Sequence, residues 1–413
     1  MTASHPDSTL HILRVSHKGD GETADGTFVP YTLEGEEVAI EQDADGSNLI
    51  RIVKRSPHRV EPSCRHFGIC GGCSLQHMEA SVYRDWKRQQ VIIALEQRGL
   101  TGINVEPVIA IAPGTRRRAS MSARRTSDSV VLGFHERGSH FIADMEMCPV
   151  LHPDLLKIVP RLRGALVEEL PDRGSSEIML TLTDTGIDAF FAIPGLKLNR
   201  DQRARFAMLA DRLRIVRLTI NGEMILQSAP PAMTWGPASV EIPAGVFLQA
   251  TREAEATMLA HVSEDLAGAK KVADLFSGCG AFTLPLARAH AVSAYDSETD
   301  AITALGNALR ATQGLKPTLA ERRDLFRRPL LKHELDAFDG VVIDPPRAGA
   351  RSQVEQLATS KVQRIASVSC NPATFARDAR ILVDGGYQLK VVRPIDQFLW
   401  TPHIELTALF ERT

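Results

Sequence analysis

The sequence predicts an α/β protein in three parts: a small N-terminal β-barrel, a central β-rich region and a C-terminal doubly wound domain. Three observations carry this. From about Thr251 helices and strands alternate, the mark of a parallel sheet covered by helices. Residues 9–60 show short apolar runs separated by turn residues, the spacing of a small barrel. Between them, mostly β patterns follow a tight group of cysteines. The expected divisions are 1–60, 61–250 and 251–413.

A hydrophobic content of 44% with 24% charged residues suits a globular protein. No run of about 18 apolar residues occurs, so no membrane span is expected. The start Met1-Thr2-Ala3-Ser4-His5-Pro6 lacks the basic-then-apolar pattern of a signal peptide, which points to the cytoplasm. Six cysteines in such a chain point to metal ligands or catalysis rather than disulfides. The net charge of −2 hides an asymmetry: residues 1–50 carry two basic and ten acidic side chains, residues 51–150 fifteen and nine. Arginines cluster at Arg116-Arg117-Arg118, Arg124-Arg125, Arg322-Arg323 and Arg327-Arg328. Such clusters suit a phosphate backbone, though solvated faces share the pattern. No obligate protein partner is evident.

In the first part, Leu10–Val15, Val38–Ile40 and Leu49–Val53 read as strands between turns. The strings H-K-G-D-G at 17–21, L-E-G-E at 33–36 and S-P-H-R-V-E-P at 56–62 resemble the TRAM domain, an RNA-binding barrel. The acidity of this part weakens direct phosphate binding by it. Cys64, Cys70 and Cys73 then fall within ten residues, and Gly68, Gly71 and Gly72 allow a loop that turns its thiolates inward. Of the remaining cysteines, Cys279 lies in a glycine turn and Cys370 is a nucleophile candidate, which leaves Cys148 as fourth ligand. Four thiolates suit either a 4Fe–4S cluster or zinc, and spacing does not choose between them. A helix is expected from Glu79 to Arg98, stopped by Gly99. Hairpins are expected around Ser127-Asp128 and around Asp184–Gly186.

In the third part, a helix over Glu253–Leu266 precedes the strand Val272–Phe276. The turn Ser277-Gly278-Cys279-Gly280 and a helix from Ala281 follow. A glycine turn between strand and helix lets a ligand approach backbone amides, and Asp296, at the end of the next strand, suits a ribose diol. Asp344-Pro345-Pro346-Arg347 ends another strand, because two prolines cannot continue it, so Asp344 sits at the sheet's carboxyl edge. The strand ending at Ser369 leads to Cys370-Asn371-Pro372 and a helix, a setting that presents a nucleophile and whose helix amides favour a thiolate. Glu405 begins the last strand beside the same crevice.

These strings resemble one family closely, the RNA uracil-5-methyltransferases, which use S-adenosylmethionine. The resemblance rests on F-L-Q at 247–249, D-L-F-S-G-C-G at 274–280, D-P-P-R at 344–347, S-C-N-P-A-T at 369–374 and H-I-E at 403–405. The barrel and cysteine group extend it toward the bacterial 23S ribosomal RNA branch, whose members carry a TRAM domain and a 4Fe–4S cluster. The resemblance implies a Rossmann-like class I methyltransferase domain with Cys370 as nucleophile and Glu405 as base. It also implies Gln249, Phe276, Asp296 and Asp344 at the S-adenosylmethionine site and a 4Fe–4S cluster on Cys64, Cys70, Cys73 and Cys148. The implied substrate is a uridine in 23S rRNA, with transfer RNA as the alternative. A noncatalytic iron–sulfur RNA-binding protein is the rival of a different class. Thr251 and Ala281 stand where the family usually has asparagine, Asp296 where it commonly has glutamate, and D-Q-F-L-W-T-P replaces the commoner D-x-F-P-x-T.

The implied chemistry follows from uracil itself. Carbon 5 is too poor a nucleophile to accept a methyl group unaided; a thiolate added to carbon 6 turns it into an enolate carbon. A base must then remove the carbon-5 proton before the thiolate leaves. The uridine has to be flipped out of its stack for this.

Overall fold

The computed structural model describes residues 9–42, 48–171 and 174–412, so Met1–Pro6 lies outside the described residues. Among these, the N-terminal strands form two three-stranded sheets. One is Leu10–His11, Glu37–Gln42 and Asn48–Lys54; the other is Arg14–Val15, Gly21–Glu22 and Phe28–Val29. The expected run Leu10–Val15 is therefore two strands, and Ile12 between them turns inward to a core with Val29 and Val38. Arg59, in the exit segment, is tied to the buried Glu36 carboxylate at 2.5 and 2.7 Å.

The central sheet has seven strands in the order Ile142–Asp144, Val130–His135, Arg118–Arg125, Ser175–Leu182, Ile187–Ala192, Ile215–Ile220 and Glu223–Gln227. Both expected hairpins are present as antiparallel pairs. Alternation in R-A-S-M-S-A turns Ala119, Met121 and Ala123 to the core. Helices Pro153–Glu169 and Arg200–Arg212 cover that face: Leu155, Val159, Leu162 and Leu166 recur at helical spacing and are buried.

The C-terminal sheet has eight strands, in the order Thr318–Arg322, Ala291–Asp296, Lys271–Leu275, Gly340–Ile343, Arg364–Ser369, Glu405–Arg412, Tyr387–Asp396 and Ile109–Ala110. The first five are parallel, and Gly340–Ile343 is buried along its whole length, as a strand with both faces covered must be. Glu405–Arg412 is inserted antiparallel between its neighbours. The helix following the cysteine group, Ala80–Glu96, packs here: Val91 and Leu95 join Leu100 and Val105 in the core with Phe375, Val392 and Phe410. No helix among the described residues is long and apolar enough to cross a membrane.

One expected element is much shorter than anticipated. The helix from Ala281 is a single turn, Thr283–Leu286. Gly278 and Gly280 have φ of +52° and +95°, and Pro285 denies a helix that began four residues earlier. The loop after Lys271–Leu275 is thus a wide turn rather than a long helix's N-terminus. Thr251 has a clear place in the fold. Its hydroxyl accepts from Ala254 N at 3.1 Å and caps helix Arg252–Asp265, work that either side chain does well. Ala281 packs against the core around Trp235 and Leu305.

Candidate active site

Sheet register brings the predicted residues to one edge. Ile343 lies opposite Ser367 in adjacent parallel strands, so Asp344 and Cys370 leave the sheet side by side. Ser369 lies opposite Leu406 in the inserted strand, which places Glu405 next to Cys370. On the other flank Leu275 pairs with Ile343, and Asp344 N donates to Leu275 O at 3.2 Å, so Phe276 follows at the same rim. Asp296 ends the next strand along. Asn371 explains the turn at Cys370: its side chain accepts from Ala373 N at 3.1 Å and caps helix Pro372–Asp384, with Pro372 at the first helical position. Asn371 and Thr374 also donate to Arg347 O, both at 3.1 Å, locking the D-P-P-R loop to the S-C-N-P loop.

A chain of two glutamines joins the carboxylates. Gln249 Nε2 donates to Asp344 Oδ2 at 3.1 Å, and Gln397 Nε2 donates to Gln249 Oε1 at 3.0 Å and to Glu405 Oε2 at 2.5 Å. Gln249, Gln397 and Glu405 are buried, and Asp344, though part of its surface opens to the crevice, sits deep in protein. Gln397 was not among the predicted site residues; it fills the variable position of D-x-F-P-x-T, so nothing local marks it. Lys87 was missed too. Fully buried, it forms an ion pair with Asp396 and donates to Phe398 O at 3.1 Å and His403 O at 2.7 Å, while Tyr83 donates to Asp396 at 3.2 Å. It thereby fixes both ends of the segment between Asp396 and Glu405. Trp400, inside that segment, has φ of +58°, a left-handed value rare for a bulky residue. Its N–H donates to Tyr83 Oη at 2.7 Å and its carbonyl accepts from Ser74 N and Leu75 N at 2.9 and 3.1 Å.

The electrostatics correct one expectation. Burial, then the Glu405 and Asp344 carboxylates, push the Cys370 thiol up to about 11, so the helix amides do not make it a thiolate by themselves; Arg347 pulls the other way. Burial, then the charge of Asp274, pushes Asp344 up to about 7, against the Gln249 hydrogen bond. Burial, then Asp344, holds Glu405 well above the usual carboxylate range. A high value makes Glu405 the stronger base once ionised.

The rim between Phe276 and Asp296 has the character of a nucleoside site. Phe276 adopts φ of +66° and packs at 5.4 Å from the half-exposed Phe326 ring. Asp296 accepts from Gly278 N at 2.8 Å and from Glu298 N at 2.9 Å, which orients its carboxylate over the glycine turn. Asp274 Oδ1 and Ser277 Oγ are buried there without a hydrogen-bond partner, polar atoms of the kind a ligand satisfies.

Cys370 opens on a cleft of about 820 Å³ whose other wall carries Arg14, His17, Lys18 and Phe28 from the N-terminal sheets. A second cavity, of about 400 Å³, is lined by Cys64, Cys70, Cys73 and Cys148 together with Arg116. All four thiols are free, and burial pushes Cys73 up to about 12. No three or more His, Cys, Asp or Glu side chains among the described residues are grouped to hold one metal ion. His403 lines both cavities. Of the arginine triplet, Arg117 is not at the surface: it is buried against Glu255 at 2.7 Å and Gln249 O at 2.9 Å.

A parallel sheet with a glycine turn after one strand, an acidic residue after the next and reactive side chains at the carboxyl edge is a Rossmann-like α/β enzyme fold. The family profile described as tRNA (Uracil-5-)-methyltransferase matches residues 238–413. An RNA methyltransferase of Brucella melitensis is 45% identical over 98% of this chain and 97% of its own length. The 23S rRNA (uracil(1939)-C(5))-methyltransferase of Nitrosococcus oceani is 34% identical over 89% and 86%. The crystal structure of the Pyrococcus abyssi tRNA (uracil-54, C5)-methyltransferase, with S-adenosyl-L-homocysteine, superposes with a TM-score of 0.77. It covers 98% of this chain and 100% of its own, at 23% identity, and so shares the fold. The chain belongs to the RNA uracil-5-methyltransferase family and is an enzyme of that class.

Proposed function

We propose that the enzyme methylates carbon 5 of a uridine in 23S rRNA through a covalent bond between Cys370 and carbon 6, with Glu405 as the base. The single observation that carries this is the meeting of Cys370, Glu405 and Asp344 at one sheet edge, with Cys370 opening on a cleft. Cys370 Sγ adds to carbon 6, and the carbon 5–carbon 6 pair moves into the enolate. The thiol proton leaves to solvent in the cleft before the addition; Arg347 on the cleft wall eases that loss without cancelling the burial and carboxylate charges that hold the thiol up. S-adenosylmethionine, seated along Phe276, Asp296, Asp344 and Gln249, supplies the electrophilic methyl group. Glu405 then takes the carbon-5 proton; that C–H pair becomes the carbon 5–carbon 6 double bond, and the carbon–sulfur pair returns to Cys370. Transfer RNA is the alternative substrate. The choice of ribosomal RNA is supported by the four-cysteine cavity and by the name of the Nitrosococcus relative.

The cysteine cavity is read here as the seat of a 4Fe–4S cluster. Four thiolates around a void of about 400 Å³ suit a cluster's bulk. The cluster would tie the cysteine loop to the Cys148 segment, with Phe398 and His403 on the same cavity wall. The β-rich part of 61–250 would face the RNA, with 251–413 as the methyltransferase domain. RNA carrying 5-fluorouridine, incubated with S-adenosylmethionine, tests the mechanism: fluorine cannot leave as a proton, so a stable adduct should form at Cys370. An adduct at another residue would remove this mechanism.

A further inference from the structure

We infer that Gln397 is a positioning residue that decides which oxygen of Glu405 receives the carbon-5 proton. The inference rests on the reading of Glu405 as the base. Gln397 Oε1 accepts from Ala250 N at 3.2 Å, so its amide has a single workable orientation, with the oxygen toward that N–H. Its two amide hydrogens then point to Gln249 Oε1 and Glu405 Oε2. Gln249, its oxygen taken, turns its own NH2 to Asp344. Both amide hydrogens of Gln397 are committed, and the direction of each bond in the chain follows from one backbone N–H. Glu405 Oε2 is therefore an acceptor throughout, and the proton from carbon 5 goes to Oε1. Among the described residues, Gln397 is also the one side chain that hydrogen-bonds this buried carboxylate. Without it Glu405 would be free to rotate, and its ionised form would lose the one donor opposing burial and Asp344.

The step affected is proton removal, after methyl transfer, so loss of Gln397 should leave enzyme stalled with methylated RNA still attached. The test compares wild type, Gln397→Leu and Glu405→Gln on in vitro transcripts of 23S rRNA and tRNA, using the one that the wild type methylates, made with uridine or 5-deuteriouridine. Denaturing gels read the covalent adduct. For Gln397→Leu, turnover should fall about 10- to 100-fold, the strength of a charged hydrogen bond. The adduct should rise to most of the enzyme, and a primary isotope effect on turnover should appear. Gln397→Glu, of the same shape but presenting an acceptor to Glu405, should behave alike and serves if the leucine variant does not fold. Wild-type turnover, or a loss of turnover with no adduct and no isotope effect, overturns the inference. If Glu405→Gln itself fails to accumulate adduct, the base assignment fails instead, whatever Gln397 does.

Discussion

Asp274→Asn should change how stability depends on pH, and by a calculable amount. Asp274 has no exposed surface; Thr283 Oγ1 donates to Oδ2 at 2.5 Å, and Oδ1 has no partner. Burial, then the charge of Asp296, raises its carboxyl from 3.8 to about 7. Between those values the native state holds a proton that the unfolded chain has lost, so stability falls as pH rises through the window. Linkage over pH 5 to 8 gives a loss of about 3 kcal/mol from this residue alone. Asparagine cannot ionise, so that loss should vanish. Its NH2 would lie where Oδ1 has no partner, an orphan donor costing about 1–3 kcal/mol at every pH. The variant should therefore match the wild type near pH 5 and exceed it by about 1–3 kcal/mol at pH 8. Urea unfolding of ligand-free protein, followed by circular dichroism at several pH values, measures this. Parallel curves for the two proteins would refute the reasoning, because the crossing depends on the buried charge and not on the side chain's shape.

Lys87→Met strands the Asp396 carboxylate and two carbonyls, and should cost about 3–5 kcal/mol in urea unfolding, with part recovered by adding Asp396→Leu. Thr251→Ala should cost about 1 kcal/mol by loss of the helix cap, whereas Thr251→Asn should stay within a few tenths of wild type in the same assay. Cys148→Ser should abolish the broad absorption near about 400 nm expected of anaerobically purified protein, and lower its iron content; full colour would remove Cys148 from the ligand set.

The strand ends were legible because each is announced locally: an apolar run stops at D-P-P-R, at S-C-N-P or at a glycine turn, and chain direction does the rest. Glu405 was legible as the start of the last strand, and the structure adds that this strand runs antiparallel to Arg364–Ser369, which is what sets it beside Cys370. Pro285 was readable as a limit on the helix from Ala281 and was passed over. What was not legible depends on distant partners. Lys87 and Asp396 are 309 residues apart, and Arg117 and Glu255 are 138 apart. Read locally, Arg116-Arg117-Arg118 looks like a basic patch; in the fold one member is an internal strut and another borders the cysteine cavity. The Cys370 thiol misled for the same reason: the helix start is local, whereas the carboxylates that oppose ionisation arrive from other strands.

Residues 80–110 have a consequence for anyone who would trim this enzyme. Ile109–Ala110 forms the outer strand of the C-terminal sheet, Val105 bridges Val392, and Lys87 reaches the segment that leads into Glu405. A fragment beginning at residue 251 would lose all three, baring the Tyr387–Asp396 edge and leaving Asp396 charged in an apolar setting. The catalytic half is stitched shut by thread from the other half. Cutting between them yields not a smaller enzyme but an open seam.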